Sequence, residues 1–221
     1  MRFETLRTML ANSTIYNWKL WQFDVQGTYL YRELKEEIYM MQAPGYEDKT
    51  NEVYHLLRSS LYGLKQAGNV WNAKLNDTLT NLGFNQLKSD YCCLWWSKEG
   101  QTILLVWVDN FLLISDQEKL NDWIKTELNR HFEVKSLGQP SIIIGVKVHQ
   151  ENHLIEISQT HYIDTLLKKY RLQGANPVST PMDLNIKLDA IEGKASEDSK
   201  DQLSINHSYA NLIGSLMYLA D

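Results

Sequence analysis

At 221 residues, 43% hydrophobic and 22% charged, the chain carries enough apolar material for a core and has the length of one large domain, or of one domain with a smaller lobe. A net charge of −5 argues against nucleic-acid binding by bulk charge. Six acidic and three basic residues between Asp183 and Asp201 supply −3 of it, which leaves a local basic groove open elsewhere.

The longest apolar runs, Tyr91 to Trp96 and Ile103 to Val108, are six residues each, against the roughly 20 that cross a bilayer. The start Met1-Arg2-Phe3-Glu4 leads into a polar stretch without a secretory apolar segment. The two cysteines, Cys92 and Cys93, are adjacent, so they form no disulfide framework, and a reduced intracellular setting is expected.

A helix is predicted over Glu4 to Asn12, with Leu6, Met9 and Leu10 on one face. A strand follows from Lys19 to Val25. Gln42 to Tyr46 and Asp48 to Asn51 read as turns or loops. A second helix runs from Asn69 to Leu82, with Trp71, Leu75, Leu79 and Leu82 at helical spacing and Gly83 as its stop. Tyr91 to Trp96 reads as an accessory strand closed by Lys98-Glu99-Gly100. Thr102 to Val108 and Phe111 to Ser115 then read as a hairpin turning at Asp109-Asn110.

Ser115 and Glu118 have capping-box spacing in front of a helix whose apolar face is Leu120, Trp123, Ile124, Leu128 and Phe132. Gly138 and Pro140 break the chain before a strand from Ile142 to Val148. A return strand, Leu154 to Ile157, and a helix from Gln159 to Tyr170 follow. The acidic stretch after Pro181 reads as a solvated linker, and an amphipathic piece begins at Tyr209.

The central order is β-α-β-β-α-β, the split βαβ arrangement. Its right-handed crossover leaves a gap between two parallel strands, and the third strand fills it antiparallel to the first. The end of the first strand then lies beside the turn of the hairpin. Asp24 and Asp109-Asn110, about 85 positions apart, are therefore expected to meet.

Two carboxylates at a sheet end suit a hard divalent cation, and two such ions can serve phosphoryl chemistry. The plainer reading is a strand cap at Asp24 and an ordinary hairpin turn at Asp109-Asn110.

Longer words in the sequence bear on that choice. Phe23-Asp24-Val25-Gln26-Gly27-Thr28-Tyr29-Leu30 resembles the first catalytic motif of copia-type retrotransposon reverse transcriptases, and Glu37 to Met40 with Gln42 to Tyr46 resembles the segment after it. Ser60-Leu61-Tyr62-Gly63-Leu64-Lys65-Gln66-Ala67, with Trp71, is similar to the most distinctive copia signature. Trp107-Val108-Asp109-Asn110 stands where the family carries Tyr-Val-Asp-Asp. Ile144 to Val148 resembles the primer-grip hairpin, and Pro177 to Met182 and Tyr209 to Ala220 resemble later family words.

The resemblance covers nearly the whole chain. It implies an α+β fold, a right-hand polymerase palm with a ferredoxin-like βαββαβ core, a partial fingers region and a partial thumb. Residues 1–157 are the expected palm with partial fingers, and 158–221 the palm–thumb connection and truncated thumb. It implies RNA-directed DNA synthesis with two Mg²⁺ ions, or Mn²⁺. The implied partners are an RNA or DNA template with its primer, deoxynucleoside triphosphates and the rest of a Pol polyprotein, with no membrane.

By the same resemblance Asp24 and Asp109 are metal ligands, and Asn110 occupies a third ligand's position. Tyr29 is the gate against a 2′-OH, and Gly27 and Thr28 offer backbone amides to the triphosphate. Gln66 and Lys65 contact the nucleotide, and Ile144, Gly145 and Val146 form the primer grip. Tyr29 as a packed aromatic, Gln66 as a cap, Lys65 as a solvated lysine and Gly145 as a strand bend are the plainer readings.

There are four departures from the family pattern: Asn110 for aspartate, Trp107 for tyrosine, the pair Gly68-Asn69 for Pro-Arg, and Arg32 for glycine. The expected boundaries also fall inside the fingers and thumb, with no ribonuclease H or integrase segment. The sequence thus leaves three readings: a polymerase module, a non-catalytic descendant that is a remnant or a nucleic-acid-binding fold, and an unrelated βαββαβ domain.

Overall fold

A computed structural model describes residues 1–31, 37–42, 44–46, 54–56, 60–61, 63–98, 100–180 and 209–220. Arg32, the predicted loop at Asp48 to Asn51, Tyr62, Glu99 and the acidic stretch after Pro181 lie outside the described residues. The chain divides into one compact unit of Met1–Ile144 with Val148–Glu156, and a second of Gly145–Lys147 with Ile157–Asp221.

The first unit opens with helix α1 (Phe3–Tyr16), four residues longer at its C-terminal end than the apolar spacing suggests. Ser13 and Thr14 do not end it, because their hydroxyls bond back to the Met9 and Leu10 carbonyls. Asn17, left-handed at φ 55°, stops it. Strand β1 (Lys19–Val25) follows with the predicted bounds, then a single 3-10 turn, Thr28–Leu30. A two-stranded sheet pairs β2 (Tyr39–Met41) with β3 (Tyr54–Leu56).

Helix α2 (Ala67–Asn81) ends before Gly83, whose φ of 95° no side-chain-bearing residue adopts easily. Strands β4 (Asn85–Leu87), β5 (Asp90–Trp96), β6 (Thr102–Trp107) and β7 (Asn110–Ser115) precede helix α3 (Glu118–Asn129) and strand β8 (Val134–Gly138). The six-stranded sheet has the order β4-β5-β6-β7-β1-β8, and its pairs are antiparallel. β7 therefore lies between β1 and β6, as the split βαβ topology requires.

Three local readings are corrected. The strand beside β1 is Val134–Gly138 and not Ile142 to Val148. The latter stretch is two strands, β9 (Ile142–Ile143) and β10 (Val146–Glu151), separated by Ile144 and Gly145 at φ 49° and 77°, the primed-turn geometry of a tight hairpin. With β11 (Leu154–Ser158) they form a three-stranded sheet in the order β11-β10-β9.

Second, the β6–β7 turn is Val108-Asp109, with Asn110 already paired to Trp107. Third, the capping box does not form. Gln117 is the N-cap of α3, while the buried Ser115 hydroxyl bonds the Thr102 hydroxyl across the hairpin at 3.1 Å.

Strand alternation sorts the core onto the two faces of the sheet. Phe23 and Val25 of β1, Leu104 and Val106 of β6 and Phe111 and Leu113 of β7 meet Trp71, Leu75 and Leu79 of α2 and Leu120, Ile124 and Leu128 of α3. The two helical stripes thus share one surface, each buried aliphatic contributing roughly 1.5–3 kcal/mol. On the other face Leu20, Leu105, Leu112 and Ile114 pack with Leu6 and Leu10 of α1 and with Ile143 and Val148.

The second unit contains helices α4 (Thr160–Lys169) and α5 (Tyr209–Ala220). Tyr162 and Tyr218 join them edge to face at 4.7 Å between ring centroids. No helix among the described residues is long and apolar enough to cross a membrane.

Candidate active site

Asp24 is the penultimate residue of β1, and Asn110 stands directly opposite it in the antiparallel ladder. The N–H of Val25 donates to the Asp109 carbonyl at 2.9 Å, so the Val108-Asp109 turn is tied to the end of β1. Residues 24 and 109 are thereby brought together at backbone level, where the topology leads one to look for them. On the other side of Asp24 its ladder partner is Lys135 of β8.

Alternation puts Gln22 and Asp24 on the sheet face that carries Leu20, and Asn110 on the face of Leu112 and Ile114. These are one face, opposite α2 and α3. The polar end of the sheet is thus built by strand register, on the face away from α2 and α3.

Each of the two carboxylates accepts a bond from a neutral side-chain amide. Gln26 donates through Nε2 to Oδ2 of Asp24. Asn110 donates through Nδ2 to Oδ1 of Asp109 at 3.1 Å, and its own Oδ1 accepts from Gln22 Nε2 at 3.4 Å. No group of three or more His, Cys, Asp or Glu side chains is assembled among the described residues.

The donor set is hard oxygen throughout, two carboxylates and carboxamides that can turn an oxygen inward, which fits a divalent cation of the Mg²⁺ type. Its charge is what falls short. Two carboxylates give −2, and Asn110 presents Asp109 with an N–H and not a third negative oxygen.

The turn itself is strained. Val108 has φ 57°, a region where a β-branched residue is an outlier and where two-residue hairpins favour glycine. Its carbonyl accepts a 2.7 Å bond from the indole Nε1–H of Trp71, which projects from α2.

Gly27, two residues past the end of β1, takes φ 61° and accepts the Leu30 N–H at 2.8 Å through its carbonyl, closing the 3-10 turn that carries Thr28 and Tyr29. The Thr28 hydroxyl is buried without a partner among the described residues. Tyr29 is half-buried against the helical side of the core. With Gly68, Trp71, Asn72, Trp107 and Val108 it lines an open cavity of about 230 Å³.

Gln66 is the N-cap of α2 and makes no side-chain capping bond, and Lys65 before it is exposed. Ile144 lines a second cavity, of about 270 Å³, with Gln22, Trp107 and Asn110. Gly145 and Val146 belong to the second unit, where the Tyr218 hydroxyl lies 2.7 Å from the place a Cβ on Gly145 would take.

Sequence reading missed Lys135, Gln22 and the bond from Trp71. Gln22 was visible as the residue two before Asp24 on the same strand face. Lys135 was hidden because its strand was not recognised. The sequence signal at Trp71 is its apolar spacing, which does not reveal where the indole N–H points.

Residues 1–184 match the family model described as reverse transcriptase (RNA-dependent DNA polymerase). The chain is 31% identical over 99% of its length to a retrovirus-related Pol polyprotein from transposon TNT 1-94 of Nicotiana tabacum, covering 17% of that protein. It is 32% identical over 98% of its length to the corresponding polyprotein from transposon RE1 of Arabidopsis thaliana, covering 14%. Against the transposon Ty1-DR5 Gag-Pol polyprotein of Saccharomyces cerevisiae the identity is 26% over 97% of the chain and 12% of the relative. The chain thus spans less than a fifth of these relatives.

Proposed function

The chain belongs to the reverse transcriptase (RNA-dependent DNA polymerase) family, and from that premise we propose that it is the palm-centred part of a copia-type polymerase that extends a primer 3′-OH with deoxynucleotides on an RNA or DNA template. The observation that carries the reading is the junction of Asp24 at the end of β1 with Asp109 on the Val108-Asp109 turn. It supports a ferredoxin-like βαββαβ palm as the fold of the first unit. The second unit is read as the palm–thumb connection and thumb helix.

Asp24 and Asp109 would hold two Mg²⁺ ions, or Mn²⁺, with Asn110 turning a carboxamide oxygen inward. When bound, such ions supply polarisation of an attacking hydroxyl and charge neutralisation on the triphosphate. The protein's own residues do the positioning. Gly27 and Thr28 offer backbone N–H groups to phosphate oxygens, and Tyr29 closes the space a 2′-OH would need. Gln66 and Lys65 approach the nucleotide from the start of α2, and Ile144, Gly145 and Val146 hold the primer end. The setting is intracellular, and the remaining partners are other parts of a Pol polyprotein.

The activity is weak or absent, because the site offers two negative charges where the family offers three. The alternative is a non-catalytic remnant or a retained nucleic-acid-binding fold, and the N–H that Asn110 directs at Asp109 favours it. Primer extension with Mg²⁺ and Mn²⁺ separates the two readings. The polymerase reading expects slow extension that Asn110→Asp raises and Asp24→Asn abolishes. No extension by either the chain or its Asn110→Asp form leaves the non-catalytic reading standing.

A further inference from the structure

We infer that Trp71 is a positioning residue for Asp109: its indole N–H holds the Val108 carbonyl and so fixes the strained turn that presents the carboxylate. The metal part of this inference rests on the reading of Asp24 and Asp109 as ion ligands, while the conformational part stands without it.

Val108 pays a backbone penalty at φ 57° that glycine would avoid, and a residue held there needs its surroundings to over-determine it. Two bonds do so. On one side the Asp109 carbonyl accepts the Val25 N–H at 2.9 Å. On the other, the Val108 carbonyl accepts Trp71 Nε1–H at 2.7 Å, the shorter of the two. Among the described residues, the Trp71 indole is the group that engages the carbonyl setting the turn's peptide plane.

Trp71 is itself immobilised. It is 3% exposed and meets Phe132 edge to face at 5.0 Å between ring centroids, with Tyr31 at 6.3 Å. The Tyr31 hydroxyl accepts the Glu133 N–H at 2.6 Å, and the Glu133 carbonyl accepts the Gln26 N–H at 2.9 Å. A rigid donor on a packed helix therefore faces a two-residue turn that would otherwise relax. Because Asp109 is the second residue of that turn, any relaxation at Val108 swings its carboxylate.

Phenylalanine keeps an aromatic ring at position 71 and removes the donor, so Trp71→Phe is the direct probe. Val108→Gly is its counterpart, since glycine takes the positive φ without needing the bond. Ile124→Val, a small loss in the same core, controls for general destabilisation.

Two quantities are measured on each variant and on the Trp71→Phe/Val108→Gly double: amide exchange of the Val25 N–H by NMR, and Mn²⁺ affinity by electron paramagnetic resonance. Trp71→Phe is expected to accelerate Val25 exchange and weaken Mn²⁺ binding, each by roughly tenfold, the scale of one buried hydrogen bond. Ile124→Val leaves Mn²⁺ affinity unchanged, and adding Val108→Gly to Trp71→Phe recovers part of both losses.

Unchanged Val25 exchange in Trp71→Phe overturns the inference, as does an equal effect from Ile124→Val. Wild-type chain that binds no Mn²⁺ overturns the ion-site reading instead, and the exchange result then decides the role of Trp71 alone.

Discussion

Asp24 and Asn110 face each other across the β1–β7 ladder, one residue from the turn that carries Asp109. The register that sets this pair also sets the hydrophobic faces: shifting β1 by one residue would turn Phe23 and Val25 out of the helical side of the core. Site and core are therefore specified by the same pairing, and the site cannot slip without exposing large apolar side chains.

Asn110→Asp is expected to raise Mn²⁺ affinity by about tenfold, the order that one added carboxylate gives a hard-cation site. The amide now donates to Asp109, and a carboxylate there would repel it until an ion intervenes. The variant should accordingly be slightly less stable without metal and gain more from it. Titration of thermal unfolding with Mn²⁺ reads both effects, and equal response by both forms would remove Asn110 from the site.

The bounds of β1, the β6–β7 hairpin and the stripes of α2 and α3 were legible because each is a long periodic signal. Three details were not. Val134–Gly138 has one buried residue, Val134, with Lys135, Ser136 and Leu137 exposed, so an edge strand of the sheet carries little apolar pattern. Ile142 to Val148 is apolar enough to read as one strand, and only the positive φ values at Ile144 and Gly145 divide it. Val108 looks like strand material and sits in the turn against its preference, with Trp71 bonded to its carbonyl. At the site, topology predicted the meeting of Asp24 and the hairpin, while the amides around them depend on side-chain directions that no spacing encodes.

Tyr29→Ala is expected to relax discrimination against ribonucleotides in any residual or Asn110→Asp activity. The ring is half-buried, and it borders the cavity beside Trp71 and Val108. Comparing incorporation of a deoxynucleotide and its ribo counterpart checks this. An unchanged ratio would return Tyr29 to a packing role.

Asp90 should make stability fall in acid. Burial acts to push its carboxyl up, but the backbone N–H of Arg2 at 2.8 Å, the Thr5 side chain and the backbone N–H of Cys92 at 3.0 Å outweigh it, so the pKa is lowered from 3.8. A group depressed on folding stabilises above its unfolded pKa and loses that contribution as pH falls through the folded value. Asp90→Asn is therefore expected to be less stable than wild type near neutrality, with the gap closing below about pH 3.8. Urea unfolding at several pH values measures it, and a constant gap would count against the assignment.

Gly145→Ala tests how the second unit holds its glycine. Two separate penalties apply. The φ of 77° places an alanine in the left-handed region, at roughly 1–2 kcal/mol. The added Cβ would also stand 2.7 Å from the Tyr218 hydroxyl, closer than any real Cβ contact, while the ring carbon bearing that hydroxyl would be 3.5 Å away. Removing the oxygen therefore removes the clash and leaves the ring at ordinary contact. Tyr218→Phe alone measures what the hydroxyl contributes, with the edge-to-face packing on Tyr162 and the bond from the Gln159 side-chain amide to the Tyr218 carbonyl left in place. The double variant should be more stable than the sum of the single losses predicts, because the clash is absent from it. Thermal unfolding of the four forms closes the cycle. Strict additivity would show that Tyr218 moves aside at no cost and that the left-handed backbone alone requires glycine at this bend.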